Sequence, residues 1–155
     1  MTSGPGKPGS PEREFSAGGV VVRASKDGPQ CVVIVPSRPA ANGSKVLALP
    51  KGHPDGDESA AQAALREVRE ETGVQAHVVE RLGEVRYWYQ SEGRRIVKVV
   101  AFFLLQHEAG DPERHVDHEI DQARWMPLEQ AARELTHAGE REIATIALSR
   151  LVPGR

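Results

Sequence analysis

The chain has 155 residues, a length that favours one domain with a single sizeable core. Its 20 basic and 22 acidic side chains give a net charge of −2, so no bulk positive field attracts nucleic acid or an acidic membrane surface. The longest apolar run, Val99 to Leu105, has seven residues, whereas a membrane-spanning helix needs about 20. We therefore expect no nucleic-acid and no membrane partner. Cys31, the single cysteine, excludes a disulfide framework and suits a reducing cytoplasm.

The first segment, Met1 to Glu14, contains Gly, Pro, Ser and charged residues and no apolar residue after the initiator, which predicts a disordered tail. We expect residues 15–155 to form the single domain. Two β-branched runs, Ala17 to Val22 and Cys31 to Val35, predict two strands. A third short strand is predicted at Val46 to Leu49.

The clearest predicted helix covers Ser59 to Thr72. Ser59 and Gln62 form a capping-box pattern at its start, and Gly73 stands where a left-handed cap ends a helix. The apolar residues within it recur at helical spacing, which predicts one buried face.

Further elements follow this helix in alternation. Val78 to Tyr89 and Ile96 to Leu105 predict a long hairpin, and Ala123 to Met126 predicts one more strand. Pro127 opens a predicted helix, and another is expected over Glu140 to Leu151. Interleaved strands and helices with a long hairpin predict an α/β class fold, with helices packed on a mixed sheet.

Three glutamates of the predicted helix, Glu67, Glu70 and Glu71, lie at spacings of three and four residues and share one face. Like charges at these spacings repel each other, and Glu70 and Glu71 also lie at the helix end that carries partial negative charge. A solvated acidic face tolerates this small cost. The alternative is a divalent cation held by the carboxylates, which would remove the repulsion.

The loop before this helix, residues 49–58, favours the metal site. It adds turn residues, another carboxylate, the lysine Lys51, the histidine His53 and open backbone carbonyls next to the helix start. Carboxylate and carbonyl oxygens suit Mg²⁺ or Mn²⁺, and the cations suit phosphate. These residues therefore predict hydrolysis of a phosphoanhydride assisted by a divalent metal ion.

Residues 52–74 fit the spacing G-x5-E-x7-R-E-U-x-E-E-x-G-U, in which U is aliphatic. The fixed positions are filled by Gly52, Glu58, Arg66, Glu67, Val68, Glu70, Glu71, Gly73 and Val74. Nine matched positions within 23 residues make chance a poor explanation. The chain therefore resembles the Nudix hydrolases, and the resemblance implies a Nudix-type α/β/α sandwich with a mixed central sheet.

The same resemblance implies cleavage of a nucleoside diphosphate linked to another group, by attack of water on phosphorus with Mg²⁺ or Mn²⁺ as the cofactor. Glu70 and Glu71 would be the main metal ligands, and Glu67 a ligand or the base that activates water. A backbone carbonyl at Lys51 or Gly52 would be a further ligand.

Two more positions concern the surroundings of these carboxylates. Arg66, together with Glu58, is expected to orient the glutamates of the helix. Glu119 stands six residues before Trp125, the spacing at which many Nudix proteins place a further glutamate near the metal, and an ordinary loop carboxylate is the alternative. The sequence leaves open whether Glu67 or Glu119 is the base.

One position departs from the family pattern. Relatives commonly carry glycine immediately before the first glutamate of the motif, whereas this chain has Asp57 there and Gly56 one residue earlier. We therefore expect the loop turn to be shifted by one residue, with no effect on the helix.

The segment Pro50-Lys51-Gly52-His53 resembles the start of the motif in hydrolases of diadenosine polyphosphates and of diphosphoinositol polyphosphates. The candidate substrate-binding residues are Arg38, Lys51, His53, Tyr87, Tyr89, Arg95 and Lys98. Their cations would contact phosphate and a tyrosine would stack on a base; the alternatives are an exposed histidine, core tyrosines and a charged hairpin edge. Alternation along the strand places Tyr87 and Tyr89 on one face and Trp88 on the other.

The leading hypothesis is a metal-dependent hydrolase of diadenosine polyphosphates, a monomer or homodimer acting on a small-molecule nucleotide. The nearest alternative is a MutT-like pyrophosphohydrolase of ordinary or oxidised nucleoside triphosphates. A diphosphoinositol polyphosphate hydrolase would need a denser basic cluster. A binding module without turnover typically lacks a glutamate of the motif, and this chain retains all four.

Overall fold

The computed structural model describes residues 12–151, in which strands and helices alternate along the chain. The strands are β1 (Glu12–Arg23), β2 (Gln30–Pro36), β3 (Lys51–Gly52), β4 (Gln75–Ser91), β5 (Arg94–Ala109) and β6 (Ile120–Pro127). The α-helices are α1 (Ala60–Thr72), α2 (Leu128–Glu134) and α3 (Ala138–Leu151). A short 3₁₀ helix, Pro112–Arg114, precedes β6. None of these helices has the length and apolarity needed to cross a membrane.

The strands form one mixed sheet in the order β4-β5-β1-β2-β6, with the two residues of β3 paired beside β1. Strands β1 and β5 run parallel, and the other pairings are antiparallel. The predicted mixed sheet is therefore confirmed. The long strand β5 lies between β4 and β1 and is paired along much of its length on both sides.

Apolar side chains cover both faces of the sheet, because successive residues of a strand point to opposite sides. On one face, Phe103 and Leu105 of β5 pack with Ala64 and Val68 of α1. The other face packs against α2 and α3, where Phe102 and Leu104 meet buried residues that include Leu128, Ala131, Ile143, Ala144 and Ala147. The predicted sandwich of helix, sheet and helix is confirmed.

Helix α1 begins and ends where its local signals predict. The Ser59 side chain accepts from the Gln62 amide while the Gln62 side chain accepts from the Ser59 amide, which completes the capping box. Gly73 ends the helix with φ 73°, and its amide donates to the Arg69 carbonyl. The three glutamates of interest therefore occupy the last two turns of a helix whose ends are fixed.

The hairpin between β4 and β5 is longer than predicted. Its turn consists of Glu92 and Gly93, both with positive φ (52° and 77°), as in the tight turns whose twist matches that of the flanking strands. This turn pairs Ser91 directly with Arg94, so the strands extend to the turn itself.

Two predicted boundaries are wrong. Strand β1 begins at Glu12, so residues 12–14 of the segment predicted as a disordered tail lie in the sheet, paired with Ile96 to Lys98 of β5. Backbone pairing orders them although they lack apolar side chains, and Arg94 adds a 2.8 Å ion pair to Glu12. Residues 1–11 of that tail lie outside the described residues. The strand predicted at residues 46–49 is reduced to one bridge between Ala48 and Ile34.

The two packed faces predict a strong contrast between two phenylalanines. Phe102 is fully buried at the centre of the sheet, whereas Phe15 is 44% exposed. We expect Phe102→Ala to reduce the free energy of unfolding by about 3–5 kcal/mol, because it removes buried apolar surface and leaves a cavity. Phe15→Ala should cost less than about 1 kcal/mol. Urea denaturation of both variants tests this, and equal losses would contradict the assignment of the core.

Candidate active site

Arg66 links the glutamates of α1 to the loop that precedes the helix. Its guanidinium donates to Glu58 (Nε to Oε2, 2.8 Å) and to Glu70 (Nη1 to Oε1, 2.9 Å), and it lies 3.2 Å from Glu67 Oε2. Nη2 also donates to the His53 carbonyl at 2.7 Å. The predicted role of Arg66 in orienting the glutamates agrees with these contacts, since one planar group fixes three carboxylates.

Glu67 lies against the backbone of Gly52. A Cβ atom at position 52 would overlap the Glu67 carboxylate, so only glycine allows this approach. Burial raises the pKa of Glu67, and Arg66 partly opposes that rise. The glycine of the motif therefore makes room for a carboxylate that is partly withdrawn from water.

Glu71 is held by the strand that faces the helix. The backbone amide of Lys51 donates to Glu71 Oε1 at 3.2 Å. Burial, with a further contribution from the charge of Glu67, raises the pKa of Glu71 to about 8. Arg66 and Lys51 offset the cost of burying these two carboxylates only in part, and a divalent cation bound between them would reduce it further.

The donor chemistry at this point fits Mg²⁺ or Mn²⁺, which prefer carboxylate and carbonyl oxygens. Gly52 provides the close approach of backbone to Glu67, and the Lys51 amide fixes Glu71. Glu70 is more exposed and its carboxylate contacts Arg66. Within residues 12–151, no three acidic, histidine or cysteine side chains form a ready set of metal ligands. The structure therefore brings Glu67 and Glu71 to the same short strand but turns Glu70 towards Arg66.

A cavity of about 560 Å³ opens beside Glu71. Five of the predicted site residues line it, namely Arg38, Lys51, Glu71, Lys98 and Glu119. Three of them are cations and two are carboxylates. Burial, with a smaller contribution from the charge of Lys51, lowers the pKa of Lys98, while nearby carboxylates that include Glu71 oppose this shift. This ammonium is therefore partly withdrawn from water.

Glu119 lies in a turn at the rim of this cavity. Its backbone carbonyl accepts from the Ser37 amide at 2.9 Å, and its own amide donates to Asp117 at 3.0 Å. The side chain is exposed. The turn therefore places Glu119 at the same cavity as Glu71, although Glu119 lies far outside the motif of residues 52–74.

His53 lies outside the cavity lining. Its Nδ1 is 3.1 Å from the Phe15 carbonyl and 3.3 Å from Ser16 Oγ, so the ring packs along β1. In the same loop Gly56 adopts a left-handed φ of 52°, as expected from its shift relative to the family pattern. The helix start is unaffected by this turn.

The three aromatic residues of β4 lie as alternation predicts. The Tyr87 ring packs against the core and edge-on to His137 at 5.1 Å, and burial raises the pKa of its hydroxyl. Tyr89 is 41% exposed, and its hydroxyl donates to Glu14 at 2.6 Å. Trp88 is 56% exposed on the opposite face, where Arg95 lies over its ring at 5.4 Å. The structure therefore separates Arg95 from Lys98 and presents one of the two tyrosines at the surface.

Sequence reasoning missed Glu140, which is fully buried in the first turn of α3. Its Oε2 accepts from the Tyr87 hydroxyl at 2.5 Å and pairs with Lys51 Nζ at 3.2 Å, and its Oε1 accepts from the Leu49 amide at 2.7 Å. A glutamate near a helix start is a common and unremarkable pattern, since it suits the helix dipole. Glu14 was missed for another reason: it was assigned to the tail.

A mixed sheet between helices, with clustered glutamates on the helix that follows β3, places the protein among α/β/α sandwich folds with an acidic site. Residues 13–145 match the family model described as NUDIX domain, and the chain belongs to this family.

Individual relatives differ in their names. The chain is 37% identical over 136 residues to a Mycobacterium tuberculosis protein named as a mutator protein, MutT4, covering 86% of this chain and 54% of the relative. It is 32% identical over 94 residues to the asymmetrical bis(5'-nucleosyl)-tetraphosphatase of Mus musculus, covering 61% of this chain and 64% of the relative. The chain thus spans between half and two thirds of the length of these relatives.

A solved structure supports the fold. The binary complex of a C. elegans Ap4A hydrolase superposes with a TM-score of 0.70 at 24% identity, covering 88% of this chain and 96% of that one. At this level of identity the likeness concerns the fold.

The burial of Glu71 predicts a stability that depends on pH. The pKa of about 8 in the folded protein exceeds the ordinary value of 4.5, so the folded state holds this proton more tightly than the unfolded chain. The cost of ionisation is absent below pH 4.5 and grows as the pH rises to about 8. Without divalent cations, Glu71→Gln should therefore raise the melting temperature near pH 8 and leave it almost unchanged near pH 4.

Glu70→Gln is the matched control, because this carboxylate is half exposed and pairs with Arg66. Its effect should stay below about 1 kcal/mol and be destabilising. Calorimetry of both variants at the two pH values measures the contrast. If Glu71→Gln does not raise the melting temperature at the higher pH, ionisation of Glu71 does not destabilise the folded protein.

Proposed function

We propose that the protein hydrolyses a phosphoanhydride bond of a nucleotide with the help of a divalent metal ion, and that dinucleoside polyphosphates are its preferred substrates. The composition of the cavity carries this proposal, because Arg38, Lys51 and Lys98 line it together with Glu71 and Glu119. Cations suit a phosphate chain, and carboxylates suit a metal ion that shares phosphate oxygens. Membership of the NUDIX domain family supports the same chemistry.

Mg²⁺ or Mn²⁺ would be held by Glu70 and Glu71 and by a backbone carbonyl at Lys51 or Gly52, and Glu67 would contact either the ion or the attacking water. When bound, such an ion supplies positive charge to the phosphate oxygens and lowers the pKa of water. Glu119 is a further candidate ligand from the opposite rim of the cavity.

The proton of the attacking water requires an acceptor, for which Glu67 and Glu119 are the two candidates. Glu67 is favoured, because burial raises its pKa above the ordinary value of a carboxyl group and so makes the carboxylate a stronger base. Arg66 contacts the same carboxylate at 3.2 Å and would keep it oriented. Glu119 is exposed and would act at the rim.

The phosphate chain would be bound chiefly by Lys98 and Arg38. No ion pair within residues 12–151 involves Lys98, whereas Lys51 is paired with Glu140. Binding an anion beside Lys98 would also offset the cost of burying this ammonium, which is the main cause of its lowered pKa. Tyr89, whose side chain is exposed on β4, is the candidate to stack on a base.

Dinucleoside polyphosphates are favoured by the cations Arg38 and Lys98 along one cavity and by the exposed ring of Tyr89 on β4. The similarity to a mouse protein named bis(5'-nucleosyl)-tetraphosphatase supports this choice. A long polyphosphate chain would use more than one cation, as Arg38 and Lys98 provide.

A nucleoside triphosphate pyrophosphohydrolase is the second candidate. The relative named as a mutator protein matches more of this chain, 86%, than the tetraphosphatase does. The burial of Tyr87 also leaves one exposed tyrosine rather than two, which suits a substrate with a single base.

Product analysis on a panel of nucleotides tests both candidates. The full chain is incubated with Mg²⁺ or Mn²⁺ and, side by side, diadenosine tetraphosphate, diadenosine hexaphosphate, deoxyguanosine triphosphate and its 8-oxo form. We expect faster cleavage of the diadenosine compounds, with mononucleotide products resolved by ion exchange. Faster cleavage of the triphosphates would favour the second candidate, and no cleavage of any member would refute the proposed activity.

Lys98→Gln should weaken the use of substrate. The loss of one charge-assisted hydrogen bond to phosphate is expected to lower kcat/KM by about tenfold or more, mainly through KM. Lys26→Gln, an exposed lysine in the turn between β1 and β2, is the matched control and should leave kcat/KM unchanged. Equal kinetics for the two variants would remove Lys98 from the substrate site.

A further inference from the structure

Glu140 is a buried carboxylate that the proposed reaction does not use. It has no exposed surface, yet it lies on a helix whose neighbouring buried residues, Ile143, Ala144 and Ala147, are apolar. Burying a charged group costs several kcal/mol unless partners compensate, and a packed apolar residue often serves stability equally well. The presence of a charge here therefore calls for an explanation beyond filling the core.

Three groups compensate Glu140, and two of them belong to the same short segment. The Leu49 amide donates to Oε1 at 2.7 Å, and the Lys51 ammonium lies 3.2 Å from Oε2. The Tyr87 hydroxyl donates to Oε2 as well, from strand β4. Glu140 thus fastens residues 49–51 to α3, and Tyr87 holds the carboxylate in place.

The segment that Glu140 fastens is the one that positions the acidic site. The backbone amide of Lys51 donates to Glu71 Oε1, and the adjacent Gly52 lies against the carboxylate of Glu67. A shift of residues 49–52 would move both contacts together. Glu140 is therefore connected to both carboxylates through one extended piece of backbone.

We propose that Glu140 is a positioning residue for the divalent cation site, and that it acts through residues 49–52 on Glu67 and Glu71. This inference rests on the proposed function, because it assumes that Glu71 binds the ion and that Glu67 contacts the ion or the attacking water. Tyr87 shares the role by orienting Glu140. The Lys51 side chain then mainly holds the segment in place through its ion pair with Glu140, while the Lys51 backbone amide donates a hydrogen bond to Glu71.

The test compares Glu140→Gln and Tyr87→Phe with wild type and with Glu142→Gln. Glu142 is two residues further along α3 and exposed, so the same change there controls for the substitution itself. Binding of Mn²⁺ to the full chain is followed by the spin-resonance signal of the free ion, with thermal melts to confirm folding at the working temperature. Steady-state kcat and KM are measured on the best nucleotide of the panel.

We expect Glu140→Gln to raise the Mn²⁺ dissociation constant by about tenfold, the size of effect seen when partners behind metal ligands are changed. Glutamine retains an acceptor for the Leu49 amide but loses the charge that anchors Lys51. Tyr87→Phe should shift the constant in the same direction by less, and Glu142→Gln should not shift it. In Glu140→Gln and in Tyr87→Phe, kcat should fall, while the KM for the nucleotide should stay within about twofold of the wild-type value.

Wild-type affinity for Mn²⁺ in folded Glu140→Gln and Tyr87→Phe would overturn the inference and leave the proposed function intact. If Glu140→Gln does not fold, Tyr87→Phe decides, since it removes one hydroxyl and keeps the ion pair with Lys51. If wild type itself neither binds Mn²⁺ nor cleaves a nucleotide, the proposed function fails, and the inference falls with it.

Discussion

The acidic site depends on the contact between a short extended segment and the last turns of one helix. Residues 51 and 52 supply an amide to Glu71 and open space to Glu67, and neither contact requires a side chain at position 52. A helix alone would direct these carboxylates into water, where they would repel each other at modest cost. The neighbouring strand instead holds them partly out of water, which increases both their repulsion and their attraction for a cation.

Arginine and lysine have separate tasks around these carboxylates. Arg66 spreads its charge over Glu58, Glu67 and Glu70, which suits a planar group with several donors. Lys51 directs its charge into the protein towards Glu140. Lys98 is thereby the lysine of the cavity with no ion pair within residues 12–151. The acidic side of the site is organised by ion pairs, whereas its basic side remains open to a ligand.

Local signals explain which parts of this arrangement the sequence predicts. Ser59 and Gly73 determine the ends of α1 through contacts with residues a few positions away, so the helix and its glutamate face can be read directly. The family pattern likewise covers residues 52–74. Strand alternation predicted the opposite faces of Tyr87 and Trp88 because no irregularity interrupts the pairing at these positions.

The missed features depend on contacts between distant parts of the chain. Glu140 meets Leu49 across 91 residues, and Tyr89 meets Glu14 across 75. Neither carboxylate lies in a pattern that distinguishes it from an ordinary surface residue. The polar start of β1 looks unstructured on composition, since its order comes from backbone pairing with β5 rather than from its own side chains.

Alternate residues of strand β5 point to the two opposite faces of the sheet and contact different parts of the protein. Lys98 lies on the cavity, and Val100, Phe102 and Leu104 continue the same face into the core beneath α2 and α3, while Ala101, Phe103 and Leu105 support α1. The residues that line the cavity and those that support the glutamate helix therefore alternate in sequence but lie on opposite faces of the sheet. Because the two sets of residues are separate, a substitution on the cavity face of β5 can leave the packing against α1 unchanged.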